Sequence, residues 1–190
     1  MFVVTYIGKF AFIKPWTAVR DGETFSQQFL SPSTLEGIEK KLFPEQLNVN
    51  GTQKILRYKL SYSGMDAQQE VTQTRGWTKT TKPRKGFQRE RSVLVRNVLL
   101  NPILCLAFSN IDDAKRAVEQ HVCLCRNEDI MLPNAEIIEM NDNDFNQLPG
   151  YELISCDKSE DYGAFLVGFN RFHDNKPMYG KLEFNGVSVI

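Results

Sequence analysis

A chain of 190 residues with 42% hydrophobic side chains is long and apolar enough to bury a core, which excludes a disordered or solvating polymer. Its 23 basic and 23 acidic residues cancel, so no single-sign field dominates the whole molecule. No apolar run approaches the ~20 residues that cross a bilayer, which argues against a helical span or a membrane partner and predicts a soluble, cytoplasmic protein.

In chain order, Phe2 to Ile13 is rich in β-branched and aromatic residues and predicts a first strand. Lys9 and Lys14 interrupt this apolar segment, which lacks the basic lead-in and small-residue cleavage site of a signal peptide. A polar loop follows, with a turn at Asp21-Gly22. SPSTLEGIEKKLF predicts a helix over Pro32–Phe43. Ser33 and Glu36 have capping-box spacing, Pro32 suits the first turn, and Leu35, Ile38 and Leu42 share a face that Pro44 ends. Gly37 costs that helix about 1 kcal/mol relative to alanine, which predicts close approach of a backbone or a ligand. After a turn at Asn50-Gly51, KILRYKLSYS sets Ile55, Arg57, Lys59 and Ser61 against Leu56, Tyr58, Leu60 and Tyr62. That alternation predicts a half-buried strand with basic side chains on its other face.

Gly64 ends this strand, and QEVTQTRGW predicts the second arm of a long hairpin. SVLVRNVLLNPILCLAF reads as strand, turn at Asn101-Pro102, strand. IDDAKRAVEQ predicts a second helix capped by Asn110, with Ile111, Ala114 and Val118 inward. Short strands follow at EDIMLP, AEIIEM, YELISC, GAFLVGFNRF and KLEFNGVSVI, the last with an Asn185-Gly186 hairpin turn. NDNDFNQLPG reads as a solvated loop. The β-α-β, β-α-β order predicts an α+β, ferredoxin-like (RRM-like) domain over residues 1–140, with an inserted basic hairpin or thumb at about 64–92. Residues 141–190 form a small C-terminal β-rich appendage packed on it.

Charge is segregated along the chain. Between Thr74 and Arg96, Arg75, Lys79, Lys82, Arg84, Lys85, Arg89, Arg91 and Arg96 are opposed only by Glu90, a run of +7. The remaining 15 basic and 22 acidic residues make the rest −7. Such cations repel one another unless a polyanion or an acidic partner neutralises them. Trp77 and Phe87 lie inside the run, and Gly76, Pro83 and Gly86 punctuate it. Cations for phosphates beside rings for bases suit single-stranded nucleic acid. They equally suit docking on an acidic protein surface. The N-terminal end of the first helix, at Ser33 and Thr34, adds backbone N–H donors for a phosphate.

No cofactor is implied and no metal site is evident. His121, Cys123 and Cys125 share one face if HVCLC is a strand, but same-face neighbours lie ~6.6 Å apart. Sulfurs on one tetrahedral zinc lie within ~4 Å of each other. The cysteines, Cys105 and Cys156 included, read as reduced core residues. Catalysis has little to draw on: Lys85, Tyr58 and His173 are of the types a metal-independent ribonuclease uses, and sit in no recognisable motif.

FVVTYIGKFAFIKPW and Pro32-Ser33-Thr34-Leu35-Glu36-Gly37-Ile38, then Gln88, Arg89, Arg96, Asn97 and Val98, then EDYGAFLVGFNRF and KPMYGKLEFNGVSVI, occur in that order. This pattern resembles the CRISPR-associated Cas-five proteins of the RAMP superfamily. The resemblance implies a ferredoxin-like body with a protruding thumb, in a prokaryotic type I surveillance complex (Cascade) of antiviral defence. It implies a subunit that binds the 5′ handle of the CRISPR RNA (crRNA), contacts the large subunit and the first backbone subunit, and meets target DNA only through the complex. One branch of the family cuts precursor CRISPR RNA with a tyrosine and a Lys-His pair. Here the corresponding place reads Lys85-Gly86-Phe87 without the histidine, so binding without catalysis is expected. A processing endoribonuclease of the same family, or a protein-interaction module with a basic loop, are the alternatives.

Overall fold

The computed structural model describes residues 1–15, 22–73, 75–80, 86–156, 162–170 and 172–186. In chain order the elements are β1 (Phe2–Gly8), β2 (Phe10–Ala11), β3 (Glu23–Phe25), α1 (Pro32–Leu42), β4 (Ile55–Ser61) and β5 (Gly64–Gln73). Then come β6 (Thr78–Thr80), β7 (Gly86–Gln88), β8 (Arg91–Leu100), β9 (Ile103–Phe108), α2 (Ile111–Val118) and β10 (Val122–Cys123). β11 (Ile130–Glu139), α3 (Asp142–Gln147), β12 (Gly150–Cys156), β13 (Ala164–Asn170) and β14 (Lys176–Asn185) complete them.

The main sheet has eight strands in the order β10-β11-β1-β9-β4-β12-β14-β13, with all neighbours antiparallel. Within it β1, α1, β4, β9, α2 and β11 give the βαββαβ order with β11-β1-β9-β4 side by side, so the fold is α+β and ferredoxin-like. The strands at 150–185 do not form a separate layer; they continue the same sheet beyond β4.

α1 and α2 cover one face. Val4 and Tyr6 of β1, Leu104, Leu106 and Phe108 of β9, and Tyr58 and Leu60 of β4 point to them and pack with Ile38, Leu42, Ala114 and Ala117. Each such buried side chain contributes roughly 1.5–3 kcal/mol. The opposite face of the sheet carries a smaller cluster of Val3, Ala107 and Phe145. Two buried hydroxyls tie the layers: Tyr6 donates to the Ala117 carbonyl at 2.7 Å, and Tyr58 donates to the Leu30 carbonyl at 2.9 Å.

Several expectations are corrected. The α1 cap is Ser31, whose Oγ accepts from the Thr34 N–H, because Pro32 takes the first helical position, where its missing N–H costs nothing. Glu36 does not reach back to Ser33; it pairs with Lys40 at 2.6 Å. Gly37 has no close neighbour, since a Cβ built there meets nothing within 4 Å. NDNDFNQLPG is not a loop: Asn141 caps α3 by accepting from the Asp144 N–H, and the helix buries Phe145 completely. The strict alternation of β4 fails at a register shift between Ile55 and Arg57, which leaves Leu56 exposed while Ile55, Tyr58 and Leu60 are buried. EDIMLP and AEIIEM are one strand, β11, with an irregularity opposite Val4 and Tyr6. The first strand divides at Lys9, and β2 joins another sheet with β8. The turn at Asp21 and the segment after Gly186 lie outside the described residues.

Glu39 is buried on α1 and its carboxylate accepts from the Gln53, Lys54 and Ile55 N–H groups at 2.6, 2.9 and 2.7 Å. This carboxylate fixes the start of β4 to the helix. Glu39→Ala strands these donors and is expected to destabilise by about 2–4 kcal/mol in urea denaturation. Gly37→Ala, filling open space on the exposed side of the same helix, is expected to stabilise by about 0.5–1 kcal/mol.

Candidate nucleic-acid interface

The basic run belongs to an antiparallel ribbon. β5 and β8 pair residue by residue from Gly64 opposite Leu100 to Gln73 opposite Arg91. The outer edge of β8 is held by β2 at Leu99–Leu100 and by β3, which runs parallel to it from Val95 to Asn97. Farther out, β6 and β7 pair, with Thr78 opposite Gln88 and Lys79 opposite Phe87. The ribbon thus covers the segment expected to form a thumb at about 64–92 and runs on to Leu100; β5 pairs with β8, and β4 pairs with β9, so QEVTQTRGW is not the second arm of a hairpin with the strand before Gly64.

Trp77 and Phe87 are 61% and 69% exposed, so neither ring serves a core. The Arg89 guanidinium lies 4.8 Å from the Trp77 ring centre, a cation–π pair at the surface. Arg75, Lys79 and Arg91 are exposed. Residues directly opposite in an antiparallel pair share a face, so Arg91, Val93 and Val71 lie on one side of the ribbon; both valines are exposed. Four exposed cations and two exposed rings can therefore meet phosphates and bases along one projection. Lys82, Arg84 and Lys85 lie outside the described residues.

Arg96 stands apart. It is half-buried at the ribbon root, its Nε bonded to Glu70 Oε2 and its guanidinium 5.0 Å from the Phe12 ring. Arg126 approaches the same ring at 5.5 Å and donates to both oxygens of buried Asp129, at 2.8 and 2.5 Å. Asp129 also accepts the Phe12 N–H at 3.0 Å. The Asp129 hydrogen bonds, together with its charge, push the Arg126 guanidinium further up. Arg96 thus fastens the ribbon to the body. The one signal for this knot in the sequence was the Arg126-x-x-Asp129 spacing, which the sequence reading missed.

Ser33 and Thr34 are not brought to the ribbon. Ser33 lines a cleft of about 1080 Å³ between the start of α1 and the β12–β14 side of the sheet, with Phe169, Phe172 and His173, and no described ribbon residue lines it. The helix end is already partly satisfied there: the Thr34 and Leu35 N–H groups both donate to the Ser31 carbonyl, and Pro32 has no N–H. The helix-free face of the two central strands carries Val3, Thr5, Ile7, Ile103, Cys105 and Ala107, and no ring for base stacking on an open sheet.

Of the residue types that could serve a ribonuclease, Tyr58 is buried and its hydroxyl is committed to the Leu30 carbonyl and the Leu153 N–H. Burial holds its ionisation well above the usual phenol range. His173 accompanies it only as a lining residue of the cleft, in a turn where Asp174 and Asn175 take φ of 49° and 53°.

No family model and no curated protein matches the sequence. Among solved structures, the chain resembles one chain of a type III-B Cmr-beta complex bound to cognate target RNA and AMPPnP. The TM-score is 0.51 at 10% identity, over 96% of this chain and 84% of that one. At that identity the likeness shows the fold alone. It comes from a type III-B assembly, so it bears on the fold and not on the type I assignment.

Arg96→Ala is expected to lower stability by about 1–2 kcal/mol, through the lost ion pair and the packing over Phe12. Arg75→Ala and Arg91→Ala should shift it by less than about 0.5 kcal/mol. Urea denaturation of the three variants separates fastening residues from presented ones.

Proposed function

We propose that the protein is a noncatalytic RNA-binding subunit of a type I CRISPR surveillance complex, holding the 5′ handle of the CRISPR RNA on its basic ribbon. The observation that carries this reading is the ribbon itself, where Arg75, Lys79, Arg89 and Arg91 are exposed beside Trp77 and Phe87. Lys82, Arg84 and Lys85 follow between β6 and β7 in the sequence. Cations of this density suit a polyanion, and the exposed rings, which an acidic protein surface would not require, add sequence-tolerant stacking on bases. The fold likeness to a chain of an RNA-bound Cmr-beta complex supports an RNA-binding role in a CRISPR assembly, and the order of the Cas-five-like motifs supports the type I form. The rest of the chain, with its −7 balance, supplies surface for the backbone and large subunits.

Binding without cleavage is the favoured form. Tyr58 has both hydroxyl functions occupied, and the family's histidine is absent beside Lys85.

Salt titration of purified protein against single-stranded repeat RNA tests the proposal. With about six phosphates engaged, log affinity should fall against log salt with a slope near −4, and Arg89→Ala should make it shallower by about 0.7. A flat salt response in folded protein overturns RNA binding on the ribbon. Clean cleavage of the repeat RNA in EDTA, lost on Lys85→Ala, would replace the noncatalytic reading by the endoribonuclease one.

A further inference from the structure

The ribbon root holds an aromatic file that RNA binding on the ribbon leaves unused. Where the chain passes from β4 to β5, Tyr62 stacks on Tyr151 of β12, with ring centres 6.2 Å and planes 14° apart. Tyr151 in turn meets Phe184 of β14 at 4.9 Å. Two strands and the link after β4 contribute to one file because Tyr151 lies directly opposite both Leu60, two residues before Tyr62, and Phe184 in the sheet register. None of these rings is fully buried, and Phe184 is 51% exposed. Burial and the neighbouring Tyr151 push the Tyr62 phenol up to about 12, so its ring stays neutral at working pH.

Beside the file lies a hollow of about 510 Å³, within the range of small-ligand sites. Ile103 and Pro149 add apolar lining, and Ser63, Asn101 and Asn185 add polar atoms. Asn101 takes a left-handed backbone (φ 46°) and donates its side-chain N–H to Ser63 Oγ at 3.0 Å. Asn185 donates to the Asn146 carbonyl at 2.8 Å. Both amides keep an oxygen that can accept from an exocyclic amine. The Asn101 backbone N–H donates to the Lys9 carbonyl at 2.8 Å, which sets an exposed lysine at the same corner.

We propose that this hollow takes one unpaired nucleobase of the RNA strand carried by the ribbon, stacked on the Phe184–Tyr151 file, with its edge at Asn101 and Asn185 and a neighbouring phosphate at Lys9. Flat neutral rings suit a base, amides suit its edge, and the cation suits the backbone beside it. The inference rests on the ribbon reading. It adds a site that would select one nucleotide where the ribbon itself only holds charge.

The test places 2-aminopurine at successive positions of single-stranded repeat RNA and follows its fluorescence on binding to the whole protein. One position should be quenched. Phe184→Ala should abolish that quench and weaken binding roughly 5- to 100-fold, with the salt slope unchanged because no phosphate contact is removed. Phe184→Trp should retain both quench and affinity. If Phe184→Ala binds as tightly as the parent, with the same quench and an intact salt slope, the pocket is overturned and the ribbon stands. If the parent protein binds no RNA, both are overturned. Should Phe184→Ala fail to fold, 5-iodouridine photo-crosslinking of the parent decides. Adducts on Tyr62, Tyr151 or Phe184 support the pocket, and adducts confined to the ribbon overturn it.

Discussion

The structure depends on one long antiparallel pairing. Residues from Ile55 to Gln73 run beside residues from Arg91 to Phe108, first as β4 with β9 and then as β5 with β8. The pairing passes from the main sheet to the smaller one at Tyr62-Ser63 and Asn101-Pro102, where the Ser63 N–H still donates to the Leu100 carbonyl at 2.9 Å. The ribbon is therefore an extension of two central strands of the ferredoxin-like body. Its direction is inherited from the core, and its outer edge is clasped by β2 and β3. Groups presented from strands are more precisely placed than groups on loops. Of the exposed cations, Lys79 and Arg91 stand on strands, and Arg75 and Arg89 lie in the links beside them.

The same architecture explains how a neutral chain keeps one region strongly positive. Much of the acid in the body is used internally. Glu39 accepts three backbone N–H groups, Asp129 takes Arg126 and the Phe12 N–H, and Glu152 takes Arg57 at 2.8 and 2.6 Å with Lys59 at 3.7 Å. Buried carboxylates of this kind need partners, since an unpaired one costs several kcal/mol. Glu45 is held to Arg116 at the surface, and that hydrogen bond lowers its carboxyl to about 2. Carboxylates so committed cannot fold back to neutralise the ribbon, where only Glu90 accompanies the cations of the run. Glu70 reaches one arginine, Arg96, and does so at the root.

Much of this was legible in the sequence because the signals were local. The helix at Ile111 announced itself through the Asn110 cap and the helical spacing of Ile111, Ala114 and Val118. The Asn101-Pro102 turn separated the two strands on either side of it, and the charge count singled out the basic run. What was not legible needed partners distant in the chain. Nothing near Leu56 signals a register shift, because the shift is defined by β9. Nothing near Asn50 says that a carboxylate from position 39 will satisfy the chain at 53–55. Phe145 lay in a segment so acidic that composition outweighed the Asn141 cap. Arg96 looked like its neighbours until Glu70, Phe12 and Arg126 were seen around it. The ring file at Tyr62 escaped for the same reason, since its members are 89 and 33 residues apart.

The hollow and the cleft described above both follow from how the C-terminal strands join the sheet. β12 meets β4 through one register pair, Tyr151 opposite Leu60. The strands come close there because Gly150, at φ 123°, has no Cβ; one built on it would lie 2.6 Å from the Leu60 carbonyl oxygen. Beyond that point Tyr58 holds the gap, accepting the Leu153 N–H at its hydroxyl instead of a strand carbonyl. Arg57 and Glu152 bridge the gap as charges. Strands that touch at one pair and then part leave space on either side of it. On the ribbon side, that space is the hollow at Tyr62, Tyr151 and Phe184; on the other, it is the cleft between α1 and the β12–β14 strands. A full ladder between β4 and β12 would have closed both. The incomplete join therefore opens a space at the foot of the ribbon, where Gly64 pairs with Leu100.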